Sequence, residues 1–216
     1  MTPATVKAVI TDWGGVLTSP LNEAIGAWLA ADRIDTARYK AVMRAWVKQA
    51  YDAATSTNPI HGLEDGSLPA EEFERMLAAE LVTVDGAPVA AEGLIRRMFH
   101  AFHPVEPMYE ALRAVRAAGV RTALLSNSWG NDYPREVFAE LFDAVVISAE
   151  VGMRKPDERI YRHALERVGG PPPEQCVFID DVRHNVEAAR ALGMHAVHHT
   201  SPDTTLEELR GLGLRI

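Results

Sequence analysis

Hydrophobic positions in this chain follow two patterns. Residues 6–11 (VKAVIT) form a short run rich in β-branched side chains, stopped by Asp12, Gly14 and Gly15. Such a run bounded by glycines predicts a buried strand. From about residue 19 to residue 102 the spacing is helical instead, with Ile25, Trp28 and Leu29, then Val42, Met43, Trp46 and Val47. Two further stretches, 71–81 and 89–102, continue it, with Pro59, Gly62, Gly66 and Pro69 as punctuation. The block predicts a helical unit of about four helices.

Beyond Pro107 the two patterns alternate. Residues 108–118 predict a helix stopped at Gly119, followed by a strand at 121–125, a helix at 135–141 and a strand at 144–147. A loop at 148–157 leads into a helix at 157–168. After Gly169, Gly170 and the prolines at 171–173 come a strand at 176–179, a helix at 185–192, a strand at 195–198 and a short helix at 205–209. Alternation of this kind predicts an α/β domain with a parallel sheet and helices on both faces, interrupted after its first strand by the helical block.

Composition narrows the function classes. In 216 residues, 30 Asp and Glu outweigh 22 Lys and Arg, for a formal charge of −8. That is a poor basis for neutralising nucleic-acid phosphates. Cys176 is the single cysteine, so the chain holds no internal disulfide and no cysteine metal cluster. Residues 1–10 lack the apolar core of a signal peptide, and no apolar run approaches the roughly 20 residues that span a bilayer. The expectation is a cytoplasmic protein that binds neither nucleic acid nor membrane. The sequence gives no reading of the oligomeric state.

In open parallel sheets, ligands bind beyond the carboxyl ends of the strands. There the sequence sets Asp12 after the first strand, Ser126 and Asn127 after the second, Lys155 in the loop after the third, and Asp180 and Asp181 after the fourth. Three carboxylates on one rim repel one another, more so at low dielectric, and call for a cation. Oxygen ligands alone point to Mg²⁺, and a lysine with a hydroxyl fits a phosphate held against it.

These residues resemble the haloacid dehalogenase-like hydrolase superfamily over nearly the whole chain. Its four signatures stand in order: 12–17 (DWGGVL), 125–127 (LSN), 155–157 (KPD) and 178–181 (FIDD), with Gly152 ahead of Lys155 and Asn185 after the aspartate pair. The resemblance implies a three-layer, Rossmann-like core over residues 1–17 and 103–216, with a helical cap at 18–102. It implies a Mg²⁺-dependent phosphatase acting on a small phosphorylated metabolite. Asp12 would be the nucleophile that forms an aspartyl-phosphate. Ser126, with the backbone at Asn127, would hold the phosphoryl oxygens, and Lys155 would balance Asp12 and the phosphate. The metal would be held by Asp12, the carbonyl of Gly14 and Asp181, with Asp180 behind them.

One position departs from the family pattern. Most phosphatases of the superfamily carry a second aspartate two residues after the nucleophile, as general acid and base; here that position is Gly14. General acid–base catalysis is worth roughly 10²–10⁴-fold. Three outcomes stay open. The substrate has a good leaving group, such as an acyl phosphate or sugar 1-phosphate; or the cap supplies an acid from His61, Glu64, His100 or His103; or the chain binds without turnover. A haloacid dehalogenase also uses an aspartate nucleophile without the second aspartate, but needs no metal, and would leave Asp180 and Asp181 without an obvious counter-ion.

The remaining conspicuous residues read as structural. Trp13 is expected to pack beside the nucleophile loop, Trp28, Met43 and Trp46 to form cap core, and Cys176 to be a buried apolar group. His198 and His199 read as surface histidines, and Glu71, Glu72 and Glu74 as a solvated helix face. Trp129, Asn131 and Tyr133 are candidates to line the pocket.

Overall fold

The computed structural model describes residues 5–50, 58–130 and 133–216. Five strands form one all-parallel sheet: β1 (Ala8–Thr11), β2 (Arg121–Ser126), β3 (Ala144–Ile147), β4 (Cys176–Asp180) and β5 (His195–His198), in the spatial order β3-β2-β1-β4-β5. Helices cover both faces: α6 (Glu106–Ala117), α7 (Arg135–Leu141), α8 (Ser148–Val151), α9 (Glu158–Arg167), α10 (Arg183–Ala191) and α11 (Pro202–Gly211). This is the expected three-layer, Rossmann-like α/β architecture.

Strand periodicity divides the core in two. Val9, Leu124, Val177, Ile179 and Val197 face one layer with Met108 and Leu112 of α6, Phe138 of α7 and Leu209 of α11. Their neighbours Ala8, Ile10, Ala123, Leu125, Phe178 and Ala196 face the other, with Ile160 and Tyr161 of α9 and Val186 and Ala189 of α10. Burial on both faces is why these strands read as continuous apolar runs.

Contacts divide the chain into two compact units. One holds the sheet, built from residues 5–20, His103–Asn127 and Tyr133–Ile216; the other holds Leu21–Phe102 and residues 128–130. Within the sheet unit, the outgoing and returning chain lie side by side. Thr18 bridges Pro104 antiparallel, Ser19 N donates to His103 O (2.9 Å) and Val105 N donates to Leu17 O (3.0 Å).

Among the described residues the helical unit contains α1 (Leu21–Ala31), α2 (Thr36–Ala50), α3 (Pro59–Asp65), α4 (Ala70–Glu80) and α5 (Leu94–Phe99). Trp28, Phe73, Leu77, Leu94 and Met98 form its core, with Met43 and Trp46 packed against them. The last helix is much shorter than the 89–102 expected from spacing. Gly86 (φ 80°), a Pro88–Val82 bridge and Gly93 (φ 66°) keep the chain out of helix until Leu94. Glu74 is not solvated either. It is buried, and its carboxylate accepts from Gly93 N (3.1 Å) and Ile95 N (2.9 Å), closing the first turn of α5.

Two other readings change. His199 is buried, with Nδ1 2.8 Å from Thr205 Oγ1, and His198 is half-buried with Nε2 3.0 Å from the Asp181 carbonyl oxygen. The start of the 148–157 loop is the short helix α8, ended by Gly152 at φ 64°. No helix among the described residues is long and apolar enough to cross a membrane.

Candidate active site

The strand order reverses beside β1: the chain builds β2 and β3 on one side and returns to place β4 on the other. Such a reversal opens a crevice beyond the carboxyl ends of the strands. Register delivers two carboxylates into it. Thr11 pairs with Ile179, Asp12 N donates to Ile179 O (2.8 Å), and Asp180 is the last residue of β4.

Lys155 joins them from the far side. Its side chain is fully buried, with Nζ 2.9 Å from Asp12 Oδ1 and 2.7 Å from Asp180 Oδ2. Burial disfavours its charged form, but Asp12 and Asp180 outweigh that and hold the ammonium above the ordinary lysine range. Asp180 therefore has a counter-ion in Lys155 without any metal, which removes the argument that a metal-free dehalogenase would leave the aspartate pair without one. Asp180 also accepts from Val182 N (2.8 Å) and from Asn185 Nδ2 (3.1 Å to each oxygen). These donors hold it as an internal brace.

Asp181 is half-buried beside this pair. One oxygen from each of Asp12, Asp180 and Asp181 lies within 4.8 Å of the other two. Burial pushes the Asp12 carboxyl up to about 7, opposed by Lys155 and reinforced by Asp180 and Asp181. Burial and then Asp180 push Asp181 up to about 6, against Lys155. When all three carboxylates are ionised, the single ammonium leaves two negative charges uncompensated. An all-oxygen set with that deficit fits a hard divalent cation.

The phosphate-side candidates lie on the same rim. Ser126, buried at the end of β2, has Oγ 3.0 Å from Tyr133 Oη. The Asn127 side chain is committed to the neighbouring loop: Oδ1 accepts from Lys155 N (2.8 Å) and Nδ2 donates to Lys155 O (3.0 Å). That reciprocal pair fixes the backbone of the buried lysine.

The loop after Asp12 turns tightly. Trp13 N donates to Asp12 Oδ1 (2.7 Å), and Leu17 N donates to Trp13 O (2.9 Å). The Trp13 ring is buried and packs edge-on against Phe138, with centroids 4.9 Å apart. Gly14 is half-buried, and a Cβ built on it would meet no heavy atom within 4 Å. Gly15 is the opposite case: its φ is 75°, and a Cβ would stand 2.4 Å from Asp181 Oδ2. Gly15 is thus what lets the loop close on Asp181. The Gly-Gly pair was its only trace in the sequence.

The candidate acids divide between the units. His61, Glu64 and His100 belong to the helical unit, where Trp129 Nε1 donates to Glu64 Oε1 (3.4 Å); His103 is exposed in the sheet unit. Trp129 packs on Phe73 and Phe99. Asn131 lies outside the described residues.

Comparison with known proteins concerns the sequence and the fold. Residues 6–193 match the family model described as haloacid dehalogenase-like hydrolase. The chain is 30% identical over 211 residues to Acyl-CoA dehydrogenase family member 10 of Mus musculus, covering 95% of this chain and spanning 19% of that protein's length. It is 33% identical over 153 residues to Sesquiterpene phosphatase astK of Aspergillus oryzae, covering 69% of this chain and 76% of the relative. The fold matches the solved structure of a predicted HAD-like family hydrolase from Porphyromonas gingivalis with a TM-score of 0.63 and 22% identity, over 96% of this chain and 99% of the other. The chain belongs to the haloacid dehalogenase-like hydrolase family.

Proposed function

We propose that this hydrolase is a Mg²⁺-dependent phosphohydrolase acting on small phosphorylated metabolites with good leaving groups, and that its helical unit is the cap that selects them. The observation that carries the reading is the charge balance at the rim: three converging carboxylates, one buried ammonium and an all-oxygen donor set. The sesquiterpene phosphatase relative supports phosphate ester chemistry.

Asp12, Asp181 and the Gly14 carbonyl would hold Mg²⁺, with Asp180 behind them. When bound, the ion neutralises the carboxylates and the phosphoryl oxygens, so that an anionic substrate can approach an anionic nucleophile. An Asp12 oxygen attacks phosphorus, and the bond to the leaving oxygen breaks with its electron pair, giving an aspartyl-phosphate. Lys155 opposes the protonation that burial favours at Asp12 and balances the added charge. Ser126 donates to a phosphoryl oxygen. Water then attacks the phosphorus of the aspartyl-phosphate, releasing orthophosphate and restoring Asp12. Position 14 has no side chain to protonate the leaving oxygen, so acyl phosphates and sugar 1-phosphates, whose leaving groups need little protonation, are the favoured class.

The absence of that side chain equally supports a second reading, a relative that binds phosphate without turnover. Orthophosphate release from a panel of acyl and sugar phosphates, with and without Mg²⁺, separates the two. Turnover that requires Mg²⁺ and disappears in Asp12→Ala is expected. Orthophosphate binding with no release from any member of the panel would reject the enzyme.

A further inference from the structure

We propose that Tyr133 is a positioning residue for the phosphoryl-binding hydroxyl, donating a hydrogen bond to Ser126 Oγ and so reserving the serine's own proton for the substrate. The inference rests on the phosphoryl-binding role of Ser126 in the reading above.

A serine hydroxyl has one hydrogen and two lone pairs. At 3.0 Å from Tyr133 Oη, either oxygen has the geometry to donate. The two directions have opposite consequences. Were Ser126 the donor, its single hydrogen would be spent on the tyrosine, and the rim would present lone pairs to an anion. With Tyr133 as donor, the hydrogen of Ser126 is available to a phosphoryl oxygen. A phenol is more acidic than an aliphatic alcohol, hence the better donor and poorer acceptor. A phosphoryl anion on Ser126 favours the same direction, because successive hydrogen bonds in a chain polarise one another.

The surroundings hold the phenol in place. The Tyr133 ring packs against Trp13, the residue after Asp12, with centroids 6.2 Å apart, and against Phe138 at 5.7 Å. The Arg135 guanidinium stands 5.9 Å from the ring centroid and pairs with Glu150. One aromatic side chain therefore bears both on the turn that carries the nucleophile and on the hydroxyl at the end of the neighbouring strand.

Tyr133→Phe keeps the ring and removes only Oη. The test measures kcat, KM and calorimetric orthophosphate binding, with Mg²⁺ present, in wild type, Tyr133→Phe, Ser126→Ala and the double variant. The loss of one hydrogen bond predicts a roughly 2–10-fold fall in kcat/KM and in orthophosphate affinity for Tyr133→Phe. In the Ser126→Ala background the same change is expected to be silent, which a merely structural role of the tyrosine would not produce. An unchanged Tyr133→Phe, or an equal loss in both backgrounds, overturns the inference while leaving the phosphohydrolase reading intact. Wild-type protein that neither hydrolyses phosphate esters nor binds orthophosphate overturns both.

Discussion

Gly15 and Asp181 are in such close approach that a single methyl group on the glycine would occupy the space of the aspartate's Oδ2, at 2.4 Å. Gly15→Ala therefore displaces the carboxylate and strains a backbone at φ 75°. The expected cost is about 1–3 kcal/mol of stability by urea denaturation. Mg²⁺ affinity, measured by calorimetry, should fall roughly 10–100-fold, as when the support of a ligand is lost.

Gly14 offers the converse experiment. A Cβ at this position meets no heavy atom within 4 Å and the backbone is not left-handed, so the site admits the first atom of an aspartate side chain without a clash. Hydrolysis of alkyl phosphates, which depend on protonation of the leaving oxygen, should rise by up to about 10²–10⁴-fold. Acyl phosphates should change little. Comparing kcat for the two classes checks this; equal effects on both would reject the leaving-group account of position 14.

Metal removal should be legible in stability. Without a cation, the carboxylates of Asp12, Asp180 and Asp181 share one ammonium. Mg²⁺ at about 100 times its Kd should stabilise the wild type by about 2.7 kcal/mol, and excess chelator should remove that gain. In Asp181→Asn the gain should largely disappear, while the chelated protein is no less stable than chelated wild type. Thermal melts with and without Mg²⁺ measure both.

A separate carboxylate links stability to pH. Burial pushes Asp143 up, but the bonds from Thr122 N (2.9 Å) and Arg116 Nη2 (3.1 Å) outweigh it and hold it below the ordinary carboxylate value. A depressed folded-state value means the stabilisation is full above the unfolded value and is lost as pH falls through the folded one. Because Asp143 is about a third exposed, its contribution is on the order of 1 kcal/mol. Asp143→Asn should lose that much at pH 7 and almost nothing near pH 2, by urea titration at each pH.

The sheet was legible because its strands are short apolar runs buried on both faces, set between helical stretches: β3, β5 and α7 begin and end where the pattern predicts. So was the convergence of Asp12, Lys155 and Asp180, since in a parallel sheet residues that follow successive strands share one rim. What escaped was set by tertiary contacts. Glu74 looks like any exposed helix carboxylate until Gly93 and Ile95 supply its donors. Shared position on the rim did not foretell that Lys155 Nζ pairs directly with Asp180, nor that Ser126 Oγ meets Tyr133 Oη. Local spacing encodes none of these.

The antiparallel rung between Thr18 and Pro104 has a consequence for how such a chain diversifies. Departure and return occur at one doorway, so the length of the excursion is decoupled from the span it must bridge. A different insertion can be grafted between those two positions, or the existing one shortened to a tight turn, with the aspartates left in register.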